Sequence, residues 1–198
     1  LDFSYVMDHF EEERKQGITI DTAQAFFKTH KREYVIIDAP GHVEFIMNMM
    51  TGASQADVAV LLVDASEGIE EQTKRHAYIL SLLGIKQVIV AVNKMDLVDY
   101  DEMKYKLIVE ELHSFLLSLK IQSIDTVPIS SIYGDNIMKL SKKMKWYSGK
   151  TFVDCIDNIS NLIDVSASYA VVSIQDVYNN NNNKRVAVSR VEEGTLNS

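Results

Sequence analysis

Three short apolar runs, Tyr34-Val35-Ile36-Ile37, Val58-Ala59-Val60-Leu61-Leu62-Val63 and Val88-Ile89-Val90-Ala91-Val92, are each closed by a polar or acidic residue. Runs of that length suit strands covered on both faces, the habit of parallel sheets in α/β proteins. The stretches between them, His42 to Ala53 and Glu70 to Leu83 ahead of Gly84, read as helices. Strand and helix alternate, which predicts an α/β fold with right-handed crossovers. From Glu102 onward Tyr105, Ile108, Val109, Leu112, Phe115, Leu116 and Leu119 recur at steps of three and four, the stripe of an amphipathic helix. His113 lies beside that stripe and is expected at the surface or satisfied by packing. A strand over Thr126 to Ile129 precedes Ser130, and a last helix is expected from Thr151 to Ile163, with Thr151 near its cap. Cys155 falls inside it, without a basic neighbour, and reads as a core thiol. Beyond Asp164 the pattern changes to a β-hairpin: Tyr169 to Ile174, a polar loop with five Asn from Asn179 to Asn183, then Arg185 to Val188 and a turn at Gly194.

Composition narrows the possibilities. A chain of 198 residues, 46% hydrophobic and 24% charged, can bury a core and fold as one domain plus a remnant of another. Lys and Arg total 20 against 28 Asp and Glu, a net charge of -8 that lacks the basic footprint of nucleic-acid binding and weakens that reading without excluding it. A single cysteine cannot make an internal disulfide, so a reducing compartment, the cytoplasm, is expected. No apolar run approaches the roughly 20 residues that cross a bilayer. Leu1 is not preceded by Met and no basic and apolar leader follows it, so the chain reads as an internal fragment.

Four motifs carry candidate chemistry. Asp38-Ala39-Pro40-Gly41-His42 follows a strand and opens a helix, the position where open α/β sheets bind ligands. Asp38 there can hold a magnesium ion through water, and Gly41 lets a backbone amide approach a terminal phosphate that His42 also faces. The same residues also make an ordinary turn. Asn93-Lys94-Met95-Asp96 follows the next strand but one. The Asp96 carboxylate offers two acceptors to the ring N–H and exocyclic amine of guanine, a donor pair adenine lacks. Asn93 can tie neighbouring loops together, and the Lys94 stem can lie over the base. Asp96 could equally be a helix cap. Ser130-Ser131-Ile132 could close over the same base with backbone amides, and Gly17-Ile18-Thr19-Ile20-Asp21 offers Thr19 as a magnesium ligand or as a plain strand residue. The order of the four, each at a strand end, makes coincidence a poor explanation.

In these motifs the sequence resembles the translation-factor class of GTPases along nearly its whole length. Within that class the runs Gly17 to Ala23, Met50 to Ser54, Lys74-Arg75-His76, Leu83 to Ile85, Lys94 to Tyr100, Gly134 to Asn136 and Trp146 to Gly149 resemble most the GTPase subunit of sulfate adenylyltransferase. The resemblance implies a P-loop NTPase G domain over residues 1–165, with a mostly parallel sheet and helices on both faces, and the start of a β-barrel domain over 166–198. It implies GTP or GDP and Mg2+ as ligands, Thr19 and Asp38 on the metal, and the Gly41 amide at the terminal phosphate. His42 would position the attacking water as the catalytic residue. Asp38 to His42, Asn93 to Asp96 and Ser130 to Ile132 would be the nucleotide-binding residues, with Met95 among them. The expected partner is the catalytic subunit that makes adenylyl sulfate from ATP and sulfate, with no membrane and no nucleic acid. The alternative is an elongation-factor-like GTPase that delivers aminoacyl-tRNA to the ribosome. His76 has no chemical role in this reading and is expected on a helix surface. Gly-x-x-x-x-Gly-Lys-Ser/Thr, the family's phosphate cradle, does not occur in the chain. Gly149-Lys150-Thr151 imitates its end, but Met144 stands where the first glycine belongs. The run reads instead as the opening of the last G-domain helix, and the fragment by itself is expected not to hold nucleotide tightly.

Overall fold

The computed structural model describes residues 21–85, 87–159, 170–179 and 185–194. The chain divides into two units, 1–158 and 159–198. In the first, β1 (Ala23–Lys28) and β2 (Glu33–Asp38) form an antiparallel hairpin in which Phe27 faces Tyr34, their rings stacked 4.8 Å apart. α1 (Ile46–Ala53), entered through a 3-10 turn at Val43–Phe45, packs on β2. β3 (Ala59–Asp64), α2 (Glu71–Leu82), β4 (Gln87–Asn93), α3 (Glu102–Ser118) and β5 (Gln122–Pro128) follow, then α4 (Phe152–Asp157). β3, β4 and β5 make one parallel sheet in that order.

β4 meets the expectation for its apolar run. It is central, and Val88 to Val92 are all at most 1% exposed. β3 does not. Leu61 and Val63 are buried, but Val60 and Leu62 stand 42% and 60% exposed, and Val35 and Ile36 of β2 are each 50% exposed. The reason is topological: among the described residues β3 pairs only with β4, and β2 only with β1. An apolar run therefore told of strands without telling which faces the described elements cover. β1 was not foreseen as a strand, and its pairing adds an antiparallel ladder to an otherwise parallel design.

α3 begins where the Asp101 carboxylate accepts hydrogen bonds from the Met103 and Lys104 amides, meeting two of the donors that a helix start leaves open. Its stripe buries Ile108, Leu112 and Leu116 against Val88, Val90 and Val92, while His113 faces solvent. α4 is capped by Thr151, whose hydroxyl accepts from the Asp154 amide in a reciprocal capping box. It ends at Asp157, and residues 160–163 of the expected helix lie outside the described residues. At Gly149 a Cβ would stand 2.5 Å from the Tyr147 hydroxyl, so this glycine makes room for a ring, and Gly149-Lys150-Thr151 opens a helix as expected. Cys155 is fully buried. Gly52 has a similar packing role: a Cβ there would lie 2.8 Å from Thr22 Cγ2 and 3.2 Å from Ile37 Cγ2, which sets how closely α1 approaches β2.

In the second unit β6 (Val171–Asn179) and β7 (Arg185–Glu193) form the expected antiparallel hairpin, ending in Gly194 at φ 74°.

Candidate functional site

The carboxyl ends of β3, β4 and β5 lie side by side. Asp64 is opposite Asn93 and Val92 opposite Pro128, and the ladder runs on as the Ala65 amide donates to Asn93 O and the Ile129 amide to Val92 O, both at 2.8 Å. The chain leaves β4 through Lys94 in the left-handed region, φ 61° and ψ 32°, which turns it sharply enough to send Met95 into the core, fully buried. Met95 thus fixes the spacing of its motif and holds it down by packing, and its side chain is not placed to meet a ligand.

Asn93 is the staple of the site. Its Oδ1 accepts from the Lys94 amide at 2.8 Å and the Ser131 amide at 3.0 Å, and its Nδ2 donates to Ser131 Oγ at 3.1 Å. Residues 38 apart in sequence are thereby joined. Three residues after Asn93, the Asp96 carboxylate accepts at Oδ1 from the hydroxyl of the fully buried Ser130 at 2.5 Å, leaving the other carboxylate oxygen for further acceptor duty. Ile132 projects 79% exposed beside them. Lys94 pairs with Asp64 at 2.5 Å. Burial would raise the Asp64 pKa, but the Lys94 ammonium and the Ser66 hydroxyl and amide outweigh it and hold the carboxyl below its ordinary range. The same bond raises the Lys94 pKa.

A second layer, which the motifs did not announce, shapes the loop after β5. Asp135 exchanges both backbone hydrogen bonds with Ser130. Its carboxylate accepts from Ser141 Oγ at 2.6 Å, Tyr100 Oη at 3.0 Å and Lys143 Nζ at 3.3 Å. Burial opposes ionisation there, and these three donors overcome it, so the Asp135 pKa is lowered. Lys143 also lies over the Tyr100 and Tyr133 rings, 4.8 and 4.6 Å from their centres. Asn136, 1% exposed and at φ 58°, donates to Pro128 O at 2.8 Å and accepts from the Ser141 amide at 2.7 Å. The one sequence signal for this layer was the run Gly134-Asp135-Asn136, an Asx-rich turn after a strand.

The motif from Asp38 to His42 follows β2. Asp38 ends β2 half-buried, Pro40 is fully buried, Ala39 and Gly41 are half-buried, and His42 is exposed at the turn that leads into α1. Gly41 O accepts from Gln72 Nε2 at 2.7 Å and His76 Nε2 at 2.9 Å, both on α2. The expectation that His76 belongs to a helix surface is corrected by that contact: its ring is half-buried against the Asp38-to-His42 loop. Thr19 lies outside the described residues. A hydroxyl and a carboxylate oxygen are donors that suit Mg2+, which keeps several waters and takes few protein ligands. No group of three or more His, Cys, Asp or Glu side chains converges among the described residues. Nor is any described helix long and apolar enough to cross a membrane.

Comparison with known proteins identifies the kin of this arrangement. Over 194 residues the chain is 47% identical to elongation factor 1-alpha of Thermococcus onnurineus, and over 196 residues 44% identical to that of Methanopyrus kandleri, in each case across 98% of this chain. It spans 45% and 46% of those relatives, under half their length. Among solved structures, a bacterial selenocysteine-specific elongation factor EF-Sec aligns with TM-score 0.65 at 27% identity, over 95% of this chain and 30% of its own. Sup35 complexed with GDP aligns with TM-score 0.58 at 26% identity, over 86% and 42%. These likenesses overturn the expected kinship with the sulfate adenylyltransferase GTPase subunit, and with it the adenylyl sulfate reaction and the catalytic-subunit partner. The runs that suggested that subfamily occur in a chain whose relatives, alike over almost its full length, are elongation factors. Residues 2–168 match the elongation factor Tu GTP binding domain, and the chain belongs to that family of translation-factor GTPases.

Proposed function

We propose that this chain is the guanine-reading and switch portion of an elongation factor that carries aminoacyl-tRNA to the ribosome under the control of GTP hydrolysis, acting in the cytoplasm. The observation that carries the reading is the Asn93–Ser131 and Asp96–Ser130 cluster at the carboxyl ends of parallel strands, in a chain whose relatives are elongation factor 1-alpha. Solved neighbours of like fold include one in complex with the GTP analogue GppNHp and one with GDP. The second oxygen of Asp96 and the acceptor it shares with Ser130 suit the N–H pair of guanine, and an adenine in that place would leave those acceptors unmet.

Residues 1–165 serve as the G domain without its phosphate cradle, and 166–198 as the opening of a barrel domain. Thr19 and Asp38 would hold Mg2+, which would offset phosphate charge when bound. His42, exposed after Gly41, would orient the attacking water.

The full-length protein is expected to hydrolyse GTP in preference to ATP and to retain aminoacyl-tRNA on a filter with GTP but not with GDP. Turnover without preference between the two nucleotides, or tRNA retention indifferent to which guanine nucleotide is present, would overturn the reading. His42→Ala is expected to slow hydrolysis far more than it weakens GTP binding, and equal losses would leave His42 a structural residue.

A further inference from the structure

Gly41 carries an unusual load for a loop glycine. Its carbonyl oxygen accepts two side-chain hydrogen bonds, from Gln72 and His76, which lie four apart and so on one face of α2. The approach is close: a Cβ at position 41 would stand 3.1 Å from Gln72 Nε2 and 3.4 Å from His76 Cε1. On the far side of the same peptide the next turn is anchored as well, with the Phe45 amide donating to His42 O at 3.0 Å. The peptide joining Gly41 to His42 is trans, so its C=O and N–H point in opposite directions. Holding the oxygen on α2 therefore directs the His42 N–H away from α2 and fixes the angle at which the His42 side chain leaves the loop. Two donors converging on one acceptor fix that plane more firmly than one, since a rotation that keeps one bond breaks the other.

We propose that Gln72 and His76 form a latch that sets the orientation of the Gly41–His42 peptide and couples α2 to the loop from Asp38 to His42. They are positioning residues. On the proposed GTPase reading, on which this inference rests, the latch holds the loop in the arrangement from which His42 can meet a water at the terminal phosphate, and a displacement of α2 by about the length of a hydrogen bond would release it. The Lys74-Arg75-His76 run, which had no role in sequence, thereby acquires one. His76 supplies an Nε2 donor at the correct helical step from Gln72.

Two measurements test the latch. In the 198-residue chain itself, long-range 15N–1H correlation of the imidazoles reads the His76 tautomer. The neutral ring is expected to carry its proton on Nε2, because only that form donates to a carbonyl, and a neutral ring protonated on Nδ1 alone would overturn the latch without any substitution. In the full-length protein, His76→Ala and Gln72→Ala are each expected to lower the single-turnover rate of GTP hydrolysis by about tenfold, the worth of one hydrogen bond of about 1.4 kcal/mol, with GDP affinity within about twofold. His76→Gln, which restores an N–H donor at similar reach, is expected to recover most of the rate. Equal losses of GDP affinity and of rate, or no recovery with glutamine beyond that of alanine, would sink the proposal. A full-length protein that neither binds nor turns over guanine nucleotide would instead overturn the GTPase reading, and the tautomer would still decide the latch.

Discussion

The Asp96 carboxylate accepts a 2.5 Å hydrogen bond from the hydroxyl of Ser130, 34 residues away and fully buried. That bond does two things at once: it ties the loop after β4 to the loop after β5, and it fixes which carboxylate oxygen remains for a ligand. The two roles separate by mutation. Ser130→Ala removes a charge-assisted donor, and because Asp96 is half-exposed and water can partly replace it, the loss is expected at about 1–2 kcal/mol of stability by urea unfolding. Asp96→Asn keeps an oxygen for Ser130 and is expected to cost less stability than Ser130→Ala. In the full-length protein it should shift the preference from guanine toward xanthine, whose extra carbonyl suits an amide donor. Unchanged base preference would mean that Asp96 serves only the loop.

Asn136 is the keystone of the same loop from beneath. Its amide meets the Pro128 carbonyl and the Ser141 amide, and it is 1% exposed. Asn136→Ala leaves a carbonyl and an N–H without a partner where water is excluded, and it places a Cβ-only side chain at φ 58°. Each stranded group costs about 1–3 kcal/mol, so a loss of roughly 2–6 kcal/mol is expected in chemical denaturation. A loss under about 0.5 kcal/mol, the size of an ordinary surface change, would show that the loop is held by Asp135 alone.

What the sequence disclosed about this site, and what it did not, follows from the range of the forces involved. β4 and the α3 stripe were legible because burial depends on local periodicity, which Val88 to Val92 and Ile108, Leu112 and Leu116 display openly. The motif positions were legible because Asn93, Asp96 and Ser130 stand at strand ends. The tertiary bonds were not. Nothing local in Lys74-Arg75-His76 says that His76 reaches a carbonyl 35 residues away, and nothing in Gly134-Asp135-Asn136 says that Asn136 turns inward beneath Pro128. The exposed Val60 and Leu62 make the complementary point, since an apolar run tells that a strand wants cover and is silent on what supplies it. The narrower kinship is illegible for a related reason: short runs do not separate one subfamily from another, whereas agreement over 98% of the chain does.

Acid should weaken unit 1 through two carboxylates. Burial works against ionisation of Asp64 and Asp135, yet Lys94 and Ser66 at one, and Ser141, Tyr100 and Lys143 at the other, lower both folded pKa values. A depressed folded pKa means that the unfolded chain binds more protons as pH falls past the ordinary carboxylate value near 3.9, so the contribution is present above that value and is lost as pH drops through the folded one. The denaturation midpoint is expected to be level between about pH 7 and pH 5 with respect to these groups and to fall below about pH 4. Asp64→Asn and Asp135→Asn should each flatten that fall. The Lys94 and Lys143 side chains are 53% and 50% exposed, so added salt should shrink the ion-pair part of both contributions and leave the part supplied by the hydroxyl donors Ser66, Ser141 and Tyr100.

Cys155 offers a readout that needs no mutation. It sits on α4 and is 0% exposed, and burial, reinforced by the Asp125 carboxylate, pushes its thiol up to about 12. A thiol is attacked through its thiolate, so at neutral pH the folded chain offers neither access nor the reactive form. Reaction with a disulfide reagent such as Ellman's is expected to be negligible in the native protein and stoichiometric in denaturant. At intermediate denaturant its rate should follow the fraction of molecules in which α4 has opened. Because Asp157, at the end of the same helix, is tied to the β1–β2 hairpin by Thr29 at 2.7 Å and Tyr34 at 2.5 Å, Asp157→Ala should raise the labelling rate well before it lowers the global midpoint. Labelling that stays tied to the global transition in that variant would mean that α4 opens only with the whole of unit 1.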